Sequence, residues 1–487
     1  MSELMQVGLY IDGEETASAS RETFMTVDPA TEQGIARVAR AGRADVDRAV
    51  DAAERCLADP WRLTTPRRRV ELLSALALAL EREHDDLARL ETRDSGKPLW
   101  QARREIMSSA RYFRYYAGAA DKIHGEQIPL GPDYVDFTVR EPVGVTAHIV
   151  PWNAPLNMVA RSVAPALACG CTVVVKPAME TPLTAIRLGH LVKAVGFPNG
   201  AYNAVPGPGP EVGTYLARHP SVGSITFTGS VATGRLVMQA ASEHIRPVVL
   251  ELGGKSPSIV LADADLDIAA DEIVKGIYRN TGQFCNASSR VVVDRSTKDE
   301  LLDRLVARTG EVTVGPGEQD PDVGPLISAR QLERVLGYID TGRDEGVRIV
   351  IGGGRIGEFE RGYFVAPTIL DQVPADARVA QEEIFGPVVS IHPFAHESEA
   401  LAMANNVAYG LAAGIFTRDI DRALHFATRV QAGQIYINEY FAGGEETPFG
   451  GYKQSGFGRE KGLEALRNYT QVKNIAIRLR QGAHMEK

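Results

Sequence analysis

The chain has 487 residues, more than one hydrophobic core usually serves, so two or three domains are expected. With 44% hydrophobic and 24% charged residues it has the composition of a globular protein, neither disordered nor membrane-embedded, and a formal charge of -9 argues against nucleic acid or an anionic membrane as the main partner. Four scattered cysteines, Cys56, Cys169, Cys171 and Cys285, are too few for a disulfide framework and predict a reducing compartment; with no secretory leader and no membrane-length apolar run legible, the cytoplasm is the expected location.

Apolar residues at three- and four-residue spacing predict helices over 45–57, 67–95 and 100–117, the last two separated by Gly96, Lys97 and Pro98. Breakers and partial alternation (Tyr134, Val135, Phe137, Val139) make 125–139 an extended excursion. From Val143 strands and helices alternate: strand 143–150, helix 158–168, strand 172–175, helix 182–195 with Thr181 as its N-cap and Gly196 beyond its end, strand 224–228, helix 233–242 and strand 247–252. A second series begins near Ser258, with strands at 258–261, 290–293, 348–351, 388–394, 413–417 and 434–438 and helices at 268–278, 298–309 and 329–346. This order predicts an α/β protein of two doubly wound, mostly parallel domains joined near Gly253-Gly254. Such sheets bind nucleotides at the carboxyl ends of their strands.

Four segments carry candidate chemistry. Cys285 sits in the small-residue loop Gly282-Gln283-Phe284-Cys285-Asn286-Ala287 between a helix and a strand, where a thiol can be exposed and placed to attack, with a buried hydrophobe as the equal alternative; the other three cysteines read as small buried hydrophobes. Glu251 ends an apolar strand, a setting that raises a carboxyl pKa and suits a general base, although an acid satisfied by amides or an arginine reads the same. Pro151-Trp152-Asn153-Ala154-Pro155 is a rigid turn at a strand end that presents an amide donor of the kind a developing oxyanion needs, although a turn asparagine without function is commoner in general. Gly229-Ser230 opens a helix after a strand, so backbone N–H groups there suit a pyrophosphate, a weak signal by itself because many such turns need glycine.

Together these segments resemble the aldehyde dehydrogenase superfamily over nearly the whole chain. The resemblance is carried, in the family's order, by Pro151-Trp152-Asn153, Lys176-Pro177, Phe227-Thr228-Gly229-Ser230, Leu250-Glu251-Leu252-Gly253-Gly254-Lys255, Gly282-Gln283-Phe284-Cys285, Glu382-Glu383-Ile384-Phe385-Gly386-Pro387 and Pro448-Phe449-Gly450-Gly451-Tyr452-Lys453. It implies a Rossmann-like nucleotide-binding domain (1–123 and 140–253), a catalytic domain (254–454) and a bridging β element with C-terminal tail (124–139 and 455–487). The bridging strands imply a homodimer or homotetramer.

The implied reaction oxidises an aldehyde to a carboxylic acid. Cys285 forms a thiohemiacetal, the alkoxide expels hydride to NAD or NADP, and Glu251 activates water to hydrolyse the resulting thioester. Asn153 and the Cys285 N–H would hold the oxyanion; Glu460 would relay protons near Glu251, with a surface salt bridge as its competing explanation. For the cofactor the resemblance implies Lys176 at the adenosine ribose, Ser230 at the pyrophosphate, Trp152 beside the nicotinamide, Glu383 and Phe385 at its ribose and ring, and Gly209, Gly229, Gly234 and Leu252 along the binding surface. Where many NAD-preferring members have a glutamate, three residues after Lys176, this chain has Met179 with Glu180 displaced by one, which predicts use of both NAD and NADP. The implied substrate contacts are Met158, Arg161, Arg279, Phe284 and Phe449. The two arginines resemble those that succinic semialdehyde dehydrogenases aim at a distal carboxylate, but 443–447 lacks a serine partner, so an uncharged aliphatic or aromatic aldehyde stands beside the anionic semialdehyde. No metal is implied. A coenzyme A-acylating dehydrogenase and a non-catalytic protein on the same fold are the alternatives.

Overall fold

The computed structural model describes residues 4–479. Its framework is two α/β sheets facing one another, plus a three-stranded antiparallel ribbon. The first sheet runs in the order 456–457, Val248–Glu251, Val222–Thr228, Val145–Ile149, Thr172–Lys176, Tyr202–Ala204, Leu9–Ile11, Glu14–Thr16. Its five middle strands are parallel. Val145–Ile149 and Thr172–Lys176 are buried at every position, because helices cover both faces and no solvent side exists for polar residues to alternate onto.

Register aligns the carboxyl ends of these strands. Ile149 lies opposite Lys176 and Phe227, and Thr228 lies opposite Glu251, so the segments beginning at Val150, Pro177, Gly229 and Leu252 all leave the sheet on one edge. The second sheet, in the order Arg348–Ile351, Thr368–Asp371, Val388–Phe394, Ser288–Asp294, Ser256–Val260, Ala412–Phe416, Gln434–Ile437, is parallel except at its first pair. It turns the opposite edge toward the first: Cys285 precedes Ser288–Asp294, and Glu383 and Phe385 precede Val388–Phe394. The cleft therefore lies between the carboxyl edge of one sheet and the amino edge of the other.

The alternating pattern from Val143 onward locates its strands and helices to within a few residues, and several differences have physical causes. The predicted helix 67–95 is two helices, Pro66–Arg82 and His84–Ser95, broken at Glu83. Thr181 does not cap the following helix: Leu183–Ala194 has Pro182 at its N-cap with no side-chain cap, and the Thr181 hydroxyl donates to the Trp152 carbonyl instead. The excursion 125–139 becomes Gln127–Ile128 and Tyr134–Pro142, the latter paired antiparallel over its whole length with Thr470–Arg478. Residues 140–142, grouped above with the nucleotide-binding domain, thus continue the ribbon. Residues 456–457, grouped with the bridging element, instead pair with Leu250 and Glu251 at the edge of the first sheet. The last eight residues of that predicted tail, 480–487, lie outside the described residues.

Candidate active site

Cys285 stands at the junction of two cavities. One, of about 600 Å³, is the cleft between the sheets; the other, of about 210 Å³, runs beneath the helix Pro155–Cys169. Cys285 and Met158 line both. The cysteine is half-buried while Cys56, Cys169 and Cys171 are fully buried, so the thiol that sequence context singled out is the one with access. Three left-handed residues in a row, Asn280 (φ 49°), Thr281 (φ 59°) and Gly282 (φ 70°), deliver the loop. This conformation is costly for β-branched Thr281, and its hydroxyl is held by the Gly324 carbonyl at 2.9 Å. A side chain at Gly282 would meet the Gly386 carbonyl at 2.1 Å, so the loop approaches the Glu383–Gly386 turn as only glycine permits.

Asn153 is buried, and its amide nitrogen donates to the Gln283 carbonyl at 2.9 Å, which ties the turn after Val145–Ile149 to the cysteine loop. Its own carbonyl accepts from Asn280 Nδ2 (2.9 Å) and Lys97 Nζ (3.0 Å). From sequence alone Lys97 is only punctuation between helices. It is in fact wholly buried, paired with Glu91 at 3.3 Å and, by a very short contact, with Glu105. Glu91 in turn accepts from Leu156 N at 3.1 Å. The signal that exposes this cluster is periodic: Leu87, Glu91 and Asp94 follow one another at helical spacing, which puts both carboxyls on the buried face of His84–Ser95.

Glu251 lines the cleft at the end of its strand and is 1% exposed. Burial holds its carboxyl well above the usual range; Arg161 opposes this, and Glu460 adds to it. Glu460 lines neither cavity and is not on the surface. It is buried through an antiparallel bridge with Phe449 and forms an ion pair with Arg161, so its surface-salt-bridge reading is corrected to an interior one. The Cys285 thiol is pushed up to about 12, by burial first, with Glu251 and Glu383 adding to this and Arg161 opposing it.

Of the expected cofactor residues, Trp152, Lys176, Gly209, Gly229, Ser230, Leu252, Glu383 and Phe385 all line the cleft. Gly234 does not; it lets the helix Val231–Ser242 close on Leu252, whose side chain a Cβ there would meet at 2.7 Å. Met179 does not line it either, and Glu180 does, beside Lys176 and 3.9 Å from Arg330. The displacement by one residue therefore returns a carboxylate to the cleft rather than removing it. Arg330, Gln331 and Arg334 were not anticipated; Gln331 Nε2 donates to the Phe385 carbonyl at 2.7 Å and Arg334 Nη2 to that of Glu383 at 2.6 Å, fixing this wall.

The donor set of the cleft fits a dinucleotide. Ser230 caps Val231–Ser242 through Thr233 N, and no acidic residue occupies that helix's first turn, which leaves its amide end suited to phosphate. Lys176 supplies a buried cation, with its ammonium lowered to about 8 by burial. Trp152 and Phe385 meet edge-to-face at 5.3 Å, forming an aromatic wall. Glu383 approaches Gly253 so closely that a Cβ there would lie 2.4 Å from its Oε2, and it accepts from Gly254 N at 3.0 Å.

All five expected substrate contacts, Met158, Arg161, Arg279, Phe284 and Phe449, line the smaller cavity. Arg279 lies 5.0 Å from the Phe284 ring and 5.2 Å from that of Phe441, with Glu105 at 4.0 Å.

Residues 16–475 match the family model described as the aldehyde dehydrogenase family. The human protein named aldehyde dehydrogenase, mitochondrial, is 43% identical over 478 residues, covering 97% of this chain and 92% of that protein. Aldehyde dehydrogenase 1A1 of Gallus gallus is 44% identical over 481 residues, covering 97% and 94%. Among solved structures, an NAD+ complex of aldehyde dehydrogenase from Bacillus cereus aligns with a TM-score of 0.96 at 44% identity, covering 98% of this chain and 97% of that one. Betaine aldehyde dehydrogenase from Staphylococcus aureus in complex with NAD+ aligns at 0.96 and 38% identity, covering 99% and 97%.

Proposed function

The chain belongs to the aldehyde dehydrogenase family, and from that premise we propose that it oxidises an aldehyde to the free acid through a thioester on Cys285. The observation that carries this reading is that Cys285 alone among the cysteines faces both the dinucleotide-shaped cleft and the smaller cavity.

The Cys285 thiol gives up its proton to solvent through the cleft that it lines, which leaves Glu251 free for the hydrolytic step. Sulfur then bonds to the carbonyl carbon, and the new oxyanion is held by the Asn153 amide and the Cys285 N–H, each worth about 3 kcal/mol in such sites. When bound, the nicotinamide supplies the hydride acceptor that oxidation requires. Once the adduct has given up its hydride it is a thioester, and Glu251 takes a proton from the water that attacks it. The carbon–sulfur bond breaks and Cys285 is restored as the acid leaves. Burial raises the Glu251 carboxyl and so makes it a stronger proton acceptor, and its position favours hydrolysis over transfer to coenzyme A.

For the cofactor, Lys176, Ser230, Gly229, Gly209 and Leu252 are the proposed adenosine and phosphate contacts, with Trp152, Glu383 and Phe385 around the nicotinamide end. Glu180 in the cleft makes NAD the preferred cofactor and NADP a weaker second, because a 2'-phosphate would approach that carboxylate. The aromatic lining of the smaller cavity by Phe284, Phe441 and Phe449 supports an uncharged aromatic or aliphatic aldehyde as substrate. The ribbon leaves Val135, Val472 and Ile477 exposed, which supports assembly as a homodimer or homotetramer; four free thiols suit the cytoplasm.

A panel of aldehydes assayed by absorbance of the reduced nicotinamide, with each cofactor and with and without coenzyme A, tests the proposal. Turnover to free acid by the native enzyme and none by Cys285→Ala supports it; undiminished turnover by Cys285→Ala, or an acyl-coenzyme A product, refutes it.

A further inference from the structure

We infer that Arg161 is a positioning residue of the hydrolytic base: it binds Glu251 and Glu460 together and does not receive a charged group of the substrate. The inference rests on Glu251 being that base.

The Arg161 guanidinium faces two carboxylates as ion pairs, although neither Nε nor Nη2 is aligned in a hydrogen bond among the described residues. Nη2 lies 3.7 Å from Glu251 Oε2, Nε contacts Glu460 Oε2, and Nη1 faces the Met158 sulfur at 3.7 Å. The guanidinium carbon sits 4.6 Å from the centre of the Phe449 ring, so one face is stacked as well. The three charged side chains are 6%, 1% and 3% exposed. One buried cation already serves two buried carboxylates. A substrate carboxylate arriving here would be a third buried anion against one cation.

Neither Glu251 oxygen has a hydrogen-bond donor among the described residues. Arg161, at 3.7 Å, is the ion-pair partner of the carboxylate at the end of Val248–Glu251. Glu460 competes for the same cation through Nε. The other groups facing this pair are Arg459 near Glu251, and Tyr112, Cys285 and Lys461 near Arg161. Losing the cation leaves two adjacent buried carboxyls uncompensated, which makes Glu251 harder to ionise. Removing the Glu460 charge instead gives Glu251 sole use of the guanidinium, which makes it easier to ionise.

The test reads the hydrolysis rate of preformed acyl-enzyme against pH in Arg161→Leu, Arg161→Lys, Glu460→Gln and Glu251→Gln. The expected result is that Arg161→Leu moves the ascending limb to higher pH by about one pH unit, slowing hydrolysis at neutral pH about tenfold. Glu460→Gln moves the limb to lower pH, and Arg161→Lys falls between Leu and the native enzyme. A merely structural role does not produce shifts of opposite sign, and Glu460→Gln with Arg161→Lys carries the test where the leucine variant fails to fold. The inference is overturned if the limb stays in place in these variants. It is equally overturned if Arg161→Leu raises KM about tenfold or more for succinic semialdehyde but not for hexanal. If the limb persists in Glu251→Gln, the base itself is misassigned and the inference falls with it; if the limb vanishes there yet ignores Arg161, the inference falls alone.

Discussion

Replacing Asn153 with alanine separates what its side chain does from what its backbone does. The carbonyl that receives Lys97 Nζ at 3.0 Å and Asn280 Nδ2 at 2.9 Å survives the substitution, so the buried ion cluster beneath the turn stays intact. The side chain loses one hydrogen bond, to the Gln283 carbonyl at 2.9 Å, and that carbonyl keeps a second donor in Asn280 Nδ2 at 3.4 Å. The stability cost is then that of one ordinary hydrogen bond, about 1 kcal/mol. The second amide proton has a different value, because a donor aimed at a developing oxyanion contributes about 3 to 4 kcal/mol to the transition state, or roughly 100- to 1000-fold in rate. Stopped-flow absorbance of the first turnover at saturating aldehyde and cofactor reads this directly, with a thermal melt alongside. The expected outcome is a first-turnover rate down by that factor and a melting curve nearly unchanged. A rate within about threefold of the native value would refute the oxyanion role, and a collapse of the melt together with the rate would refute the partition between side chain and backbone.

Two further expectations follow from the same geometry. Lys97→Met leaves Glu91 and Glu105 buried without their cation, at a cost of about 3–5 kcal/mol; the denaturant midpoint should fall and acylation should slow, and an unchanged midpoint would show the cluster to be unimportant. Glu180→Gln removes the carboxylate facing a 2'-phosphate, and at near-water dielectric this is worth about 1 kcal/mol, so kcat/KM with NADP should rise roughly fivefold while that with NAD falls or holds. An unaltered cofactor ratio would mean that Glu180 does not read the ribose.

The strands and helices from Val143 onward were legible because buried parallel strands are short apolar runs bounded by glycine and proline, and that pattern does not depend on distant partners. Strands whose existence rests on such partners were not. Leu9–Ile11 is three residues long and belongs to the first sheet only through Tyr202–Ala204, and Thr368–Asp371 needs Arg348–Ile351 and Val388–Phe394 on its two sides. The site shows the same division. Cys285, Glu251 and Asn153 stand out by local chemistry, each an unusual residue at a strand or helix boundary. What each polar group is paired with was hidden, since Arg161 meets Glu251 across 90 positions of chain and Glu460 across 299. Two arginines in one cavity therefore read as anion receptors until their internal carboxylates came into view. Met179 holds the motif position by count along the chain, while the cleft is lined by the neighbouring side chain, Glu180.

The most direct measurement is the mass of the enzyme caught mid-reaction. Glu251→Gln enzyme mixed with NAD and benzaldehyde, acid-quenched and digested, should carry a benzoyl group on the peptide containing Cys285 and on no other, in step with one equivalent of reduced cofactor. Stoichiometric cofactor reduction with no acyl group on Cys285, or with the group on Cys56, Cys169 or Cys171, would contradict the account.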